Sequence, residues 1–225
     1  VDVAATTIVK VPAGSNLTFE GSLNLNNNFL TKTDFGTLTI NGALPPAGSP
    51  VGGAVVVREG TFAGNGTVDG YLTNIGSTVA PGDNAPGILT VSGNYAQGPN
   101  GRDSPIVQPK LALDINGLVA GTDYDVLNVL GGLTIFGGQL NITMGFTPTV
   151  GQSFDVLNFA SANGAFDSIN GVPGAGLPGR RQRLRHPVPP GTRRRGHLHP
   201  HRRVQGPRLL RPGDRRVTQS RCAAA

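Results

Sequence analysis

Residues 36–42 read GTLTING, residues 87–93 read GILTVSG and residues 131–137 read GGLTIFG. These three copies of Gly-x-Leu-Thr-Ile/Val-x-Gly decide the fold class. In the first copy Leu38 and Ile40 share one strand face, and Thr37, Thr39 and Asn41 share the other. One face suits burial and the other suits water, and the bounding glycines permit sharp corners. A unit this short cannot bury its own apolar face, so neighbouring units must cover it. The copies start 51 and 44 residues apart, which leaves room for coils of roughly 20 residues with corners of variable length. A second repeat, Tyr124-Asp-Val-Leu-Asn128, returns 30 residues on as Phe154-Asp-Val-Leu-Asn158.

The first 178 residues keep the same habit throughout. Short apolar/polar alternations are punctuated by Gly, Asn and Pro, with no amphipathic stretch long enough for a useful helix. The clearest strands lie at 6–11, 54–58, 111–115, 125–129 and 153–158. With 34 Gly, 18 Pro and no Trp, composition agrees with many short strands joined by tight turns. A β-sandwich needs the same alternation but not the repeats. The expectation is therefore an all-β, parallel β-solenoid over residues 1–172.

Charge divides the chain in two. Residues 1–178 hold 5 Lys+Arg against 12 Asp+Glu, a net of −7. Residues 179–225 hold 14 Arg against one acid, Asp214, a net of +13, together with all four His and the single Cys. Such a segment has little to bury and much self-repulsion, so residues 173–225 read as a disordered basic tail. Phosphate neutralisation is one use for a polycation, but no specific nucleic acid is implied. His197, His199 and His201 form at most a weak metal tract, and Cys222-Ala-Ala-Ala225 fits a prenylation box only formally. A plainer reading is an out-of-frame translation of GC-rich DNA, which accounts for the abrupt switch in composition. One Cys permits no internal disulfide. No run approaches the roughly 18 apolar residues of a membrane span. A chain that begins at Val1 without a signal peptide reads as a mature form or a fragment.

Chemistry is sparse. Residues 1–178 contain no His and no Cys, which excludes a Ser-His-Asp triad, a Cys nucleophile and a conventional zinc site there. Asp123 and Asp125 are the best carboxylate pair, projecting to one side of a strand, but no third acid or base stands near, and a solvated strand start explains them better. In residues 64–69 (GNGTVD) Val68 stands where a calcium-binding nonapeptide needs its Asp. Asp69 falls one place late, and that slip reverses the direction of the side chain. Tyr71, Tyr95 and Tyr124 are scattered strand residues rather than a sugar platform. Arg58-Glu59 and Arg102-Asp103 read as exposed turns. No catalytic, cofactor-binding or metal-ligating residue is assigned.

Residues 60–95 (GTFAGNGTVDGYLTNIGSTVAPGDNAPGILTVSGNY), 123–159 (DYDVLNVLGGLTIFGGQLNITMGFTPTVGQSFDVLNF) and 164–171 (GAFDSING) carry a resemblance. Together they resemble the autotransporter-associated β-strand repeat region of exported bacterial passenger proteins. Exported proteins with a PEP-CTERM sorting signal share the style. The resemblance covers about half of the chain. It implies a right-handed parallel β-helix at the outer surface of a Gram-negative-type bacterium or outside the cell. The implied role is structural or adhesive and non-enzymatic, with no cofactor, and the implied partners are surface glycans or other cell-surface proteins. The alternative is the β-helix module of a polysaccharide-active lyase or glycoside hydrolase.

Overall fold

A computed structural model describes residues 1–21, 23–42, 52–99, 107–171 and 222–223. The strands follow in chain order. The first seven are β1 (Thr7–Lys10), β2 (Asn16–Phe19), β3 (Phe29–Thr33), β4 (Thr37–Ile40), β5 (Ala54–Val57), β6 (Thr61–Gly64) and β7 (Thr67–Val68). Then come β8 (Tyr71–Asn74), β9 (Thr78–Pro81), β10 (Ile88–Val91), β11 (Tyr95–Gln97), β12 (Lys110–Ile115), β13 (Val126–Val129) and β14 (Gly132–Ile135). The last are β15 (Gln139–Met144), β16 (Ser153–Phe154), β17 (Leu157–Asn158), β18 (Ser161–Gly164), β19 (Ser168–Asn170) and β20 (Cys222–Ala223). No helix occurs among the described residues.

Three sheets take up nearly all of these strands. Sheet 1 runs β1-β3-β5-β8-β11-β14-β18, sheet 2 runs β2-β4-β6-β9-β12-β15-β19, and sheet 3 runs β7-β10-β13-β17. From β1 to β5 the chain alternates between sheets 1 and 2, and from β5 onward it visits the three sheets in rotation, one strand in each per circuit. Every ladder in the three sheets is parallel. Parallel pairing rules out the antiparallel sandwich. Pairing in register stacks like on like: Leu17, Leu38, Phe62, Val79, Leu111, Leu140 and Ile169 form one inward column through sheet 2.

The pairs Leu38/Ile40, Leu89/Val91 and Leu133/Ile135 all lie in one buried cluster that extends from Val3 to Leu157. Their three parent copies do not stack on one another. The first lies on β4 in sheet 2, the second on β10 in sheet 3 and the third on β14 in sheet 1. The motif thus specifies a strand with glycine corners, which any of the sheets accepts. The 30-residue repeat behaves differently. Leu127 pairs with Leu157 and Asn128 with Asn158, and the ring of Tyr124 meets that of Phe154 edge-on at 5.4 Å.

Corner glycines are needed where one corner rests on the next. At Gly64, φ is +128°, and a Cβ there would stand 2.0 Å from the carbonyl oxygen of Ile40. Any larger residue would push the layers apart. Residues 153–158, expected as one strand, are interrupted, with Ser153–Phe154 pairing antiparallel with Cys222–Ala223. The rest of the segment read as a basic tail, residues 173–221 and 224–225, lies outside the described residues.

Candidate binding groove

The outward face of sheet 2 starts with threonine and ends with asparagine. In register, Thr18, Thr39, Ala63 and Ala80 form one column on β2, β4, β6 and β9. Further along, Ala112 of β12 pairs with Asn141, which pairs with Asn170. At this position β6, β9 and β12 each carry only an alanine methyl group outward, and the sheet surface dips along that column. Adjacent strands stand about 4.8 Å apart, so the dip is a trough rather than a pit.

Two chain segments wall this trough into a groove of about 450 Å³. On one side stand the turn at 14–16 and Phe35, whose ring is 72% exposed. On the other is the segment 81–85 that leaves β9. That segment is fixed at both ends. Gly82 and Gly64 exchange backbone hydrogen bonds at 2.9 and 2.7 Å. At the far end the Gly87 N–H donates to Asp125 Oδ1 at 2.7 Å.

Asp125 is the anchor of this wall. Its second oxygen, Oδ2, accepts from the Asp114 N–H at 2.7 Å, so one carboxylate joins the segment before β10 to β12. Burial pushes its pKa up to about 6, against the pull of the two N–H donors, with the neighbouring Asp114 charge adding to the rise. Asp83 is held by Asn41 Nδ2 at 3.1 Å and by Asn84 Nδ2 at 3.0 Å. Thr39 Oγ1 donates to Asn16 Oδ1 at 3.1 Å. Asp114 itself is exposed on the groove side of β12. The charged residues of the lining are Asp83, Asp114 and Asp125, and no Lys or Arg lines it among the described residues.

The residues singled out in the sequence scatter. Asp123 and Asp125 precede β13, so strand alternation does not govern them. Asp123 caps a turn, its Oδ2 accepting from the N–H groups of Leu118 and Val119 at 3.1 and 3.0 Å, and only Asp125 reaches the groove. Asp69 is buried and accepts from Ser92 Oγ at 3.1 Å. Among the described residues no three His, Cys, Asp or Glu side chains gather as a metal site. Tyr71 is exposed, Tyr95 is buried and donates to Gln97 Oε1 at 2.7 Å, and Tyr124 packs on Phe154. Glu59 is no free turn charge, since its Oε2 accepts from the Asp34 N–H at 2.7 Å. Arg102-Asp103 and His197, His199 and His201 lie outside the described residues.

Phe35, Asp83 and Asp114 were missed in the sequence. Phe35 follows a strand in an Asp-Phe-Gly turn, a place where the alternation rule has no reading. Asp114 was legible as the outward member of Lys110–Ile115, but its neighbours in space come from other circuits. Comparison with known proteins adds no relative: no family model matches, no curated protein matches, and no solved structure matches.

Proposed function

We propose that residues 1–171 form a right-handed parallel β-helix, and that the chain is a structural or adhesive segment of an exported bacterial protein. Its place is the outer cell surface or the extracellular space, and it has no catalytic activity of its own. The observation that carries this reading is the rotation of the chain through three parallel sheets with like residues in register. Strand-to-strand crossovers of this type are right-handed in nearly all proteins. Stacked circuits give a long rigid body whose outer faces are free for contact. The resemblance of residues 60–171 to autotransporter-type repeats supports the exported setting. Surface glycans or other surface proteins are the partners this reading implies.

Intact cells of a Gram-negative host producing the parent protein test the setting. Protease added outside should remove the chain, and the same cells should gain attachment to glycan-coated surfaces. Protection from protease would refute surface display. The acid-lined groove favours one second reading, a module of a polysaccharide-active enzyme. Release of oligosaccharides from pectin, alginate or a neutral glucan, abolished by Asp114→Ala, would establish it over the first.

A further inference from the structure

We infer that the groove on sheet 2 is a binding cleft for an extended, uncharged glycan chain and that it disfavours acidic polysaccharides. The inference rests on the non-catalytic surface reading and gives it a specific contact site. Three features carry it. The floor carries the small side chains Ala63, Ala80 and Ala112 on three successive strands, which leaves room for a ligand lying extended across them. The rim offers what sugar hydroxyls need: Thr37, Asn84 and the exposed carboxylate of Asp114. At one end the Phe35 ring, 72% exposed, supplies an apolar face for sugar C–H groups. An exposed aromatic at the mouth of a polar cleft, beside hydrogen-bonding rim groups, is the pairing a sugar-binding cleft uses.

Charge narrows the ligand class. Every charged group in the lining is a carboxylate, and Asp125, although bonded to backbone N–H groups, adds its field from the wall. An anionic chain would meet like charge in a partly desolvated cleft, where screening is weak. A neutral chain meets acceptors that suit its hydroxyl donors. The basic segment 179–225 holds 14 Arg and takes up anions on its own account. Discrimination at the groove must therefore be read by competition rather than by total binding.

The test uses the full chain, with cellohexaose, xylohexaose and mannohexaose as neutral probes and hexagalacturonate as the acidic one. Calorimetry should find at least one neutral probe bound, with the methyl resonances of Ala63 and Ala80 shifted on addition. Phe35→Ala, and Ala112→Gln which fills the floor, should each weaken binding by about tenfold at an unchanged melting temperature. Hexagalacturonate should fail to displace the neutral probe from the parent and should displace it better from Asp114→Asn. The inference is overturned if no neutral probe binds at millimolar concentration, or if the shifted methyls lie on another face. It is equally overturned if folded Phe35→Ala and Ala112→Gln bind like the parent, or if hexagalacturonate competes equally well. Cleavage of a bound probe would refute the non-catalytic reading and leave the groove standing. Absence of binding would remove the groove and leave the surface scaffold.

Discussion

Two columns of side chains face the same interior and obey different rules. In sheet 2 the column from Leu17 to Ile169 is apolar at every strand. In sheet 1 the column Val9, Lys32, Val57, Asn74, Gln97, Ile135 admits a cation and two amides. Lys32, Asn74 and Gln97 are all fully buried. The sheet 2 column carries no group that needs a hydrogen-bond partner. The sheet 1 column sits at the strand ends, beside the corner where the chain turns toward sheet 2. Corner carbonyls there accept from buried side chains, and those of Thr33 and Pro109 accept in addition from the Val11 and Gln139 N–H groups at 3.2 and 2.8 Å. Lys32 Nζ donates to the carbonyl oxygens of Thr33 at 3.3 Å, Glu59 at 2.8 Å and Asp34. Asn74 Nδ2 donates to the Lys110 carbonyl at 3.0 Å. Gln97 Nε2 reaches the carbonyls of Pro109, Gly137 and Gln139. Polarity in this core thus follows the corner backbone rather than depth.

The largest effect should come from moving polarity to the wrong column. Leu38→Asn loses a fully buried apolar side chain and leaves an amide with no corner to serve. Together these should cost about 4 kcal/mol, measured by denaturant unfolding. A cost under about 1 kcal/mol would show that the two columns do not differ as argued. Lys32→Met comes next. Burial holds the Lys32 pKa below its ordinary value, while Asp34 and Glu59 oppose that fall. The substitution relieves the buried charge but strands its carbonyl partners, for a net loss of about 2–3 kcal/mol. Stabilisation by Lys32→Met would mean the ammonium is a burden rather than a tie.

Asn74→Leu should cost less, about 1–2 kcal/mol. Its Oδ1 accepts from the Ser77 N–H at 3.1 Å and from Ser77 Oγ at 2.6 Å, and Ser77 Oγ also lies 3.1 Å from the Val57 carbonyl. When the amide goes, the Ser77 hydroxyl keeps the Val57 carbonyl, while the Ser77 N–H and the Lys110 carbonyl each lose the Asn74 side chain. A loss matching that of Lys32→Met would argue against the ranking by stranded groups.

The same contrast explains what the sequence revealed. The apolar inward positions were legible because alternation alone places Leu38, Leu89 and Leu133 inward. Residues 29–33 (FLTKT) obey the same alternation, which puts Lys32 beside Leu30 on the inner face, but hydropathy argues the opposite. Corner carbonyls reconcile the two, those of Thr33 and Asp34 beside it in sequence and that of Glu59, 27 residues away. The threefold Leu-Thr motif revealed strands facing a common core but not which strands stack on which. The repeat around Leu127 and Leu157 gave a true register, because a circuit there is close to 30 residues. Elsewhere register partners lie as near as Thr61 and Thr78 or as far as Ile88 and Val126. Corners of such different length hide any fixed period. The groove suffered most, since its floor, walls and acids come from different circuits.

Asp125 is the anionic counterpart of Lys32, a buried charge that serves backbone N–H groups where Lys32 serves carbonyls. Its smaller expected effect shows in the pH dependence rather than in a single cost. Two influences compete: burial favours the protonated acid, and the N–H groups of Gly87 and Asp114 favour the carboxylate. Burial prevails, which puts the folded pKa near 6 against an ordinary 3.8. Between about pH 4 and 6 the folded chain therefore binds more protons at this site than the unfolded chain. Its contribution to stability falls as pH rises through that window, by at most about 1.4 kcal/mol per pH unit, and levels off above pH 6. Surface acids add slopes of their own, so the informative quantity is the stability of the parent minus that of Asp125→Asn. Asparagine keeps one acceptor and turns an NH₂ group toward the other N–H, a penalty that does not change with pH. The difference should fall from pH 4 to 6 and run flat from 6 to 8. A difference that rises over pH 4 to 6 would mean that the two N–H donors outweigh burial. Asp125 would then hold the groove wall most strongly as a carboxylate.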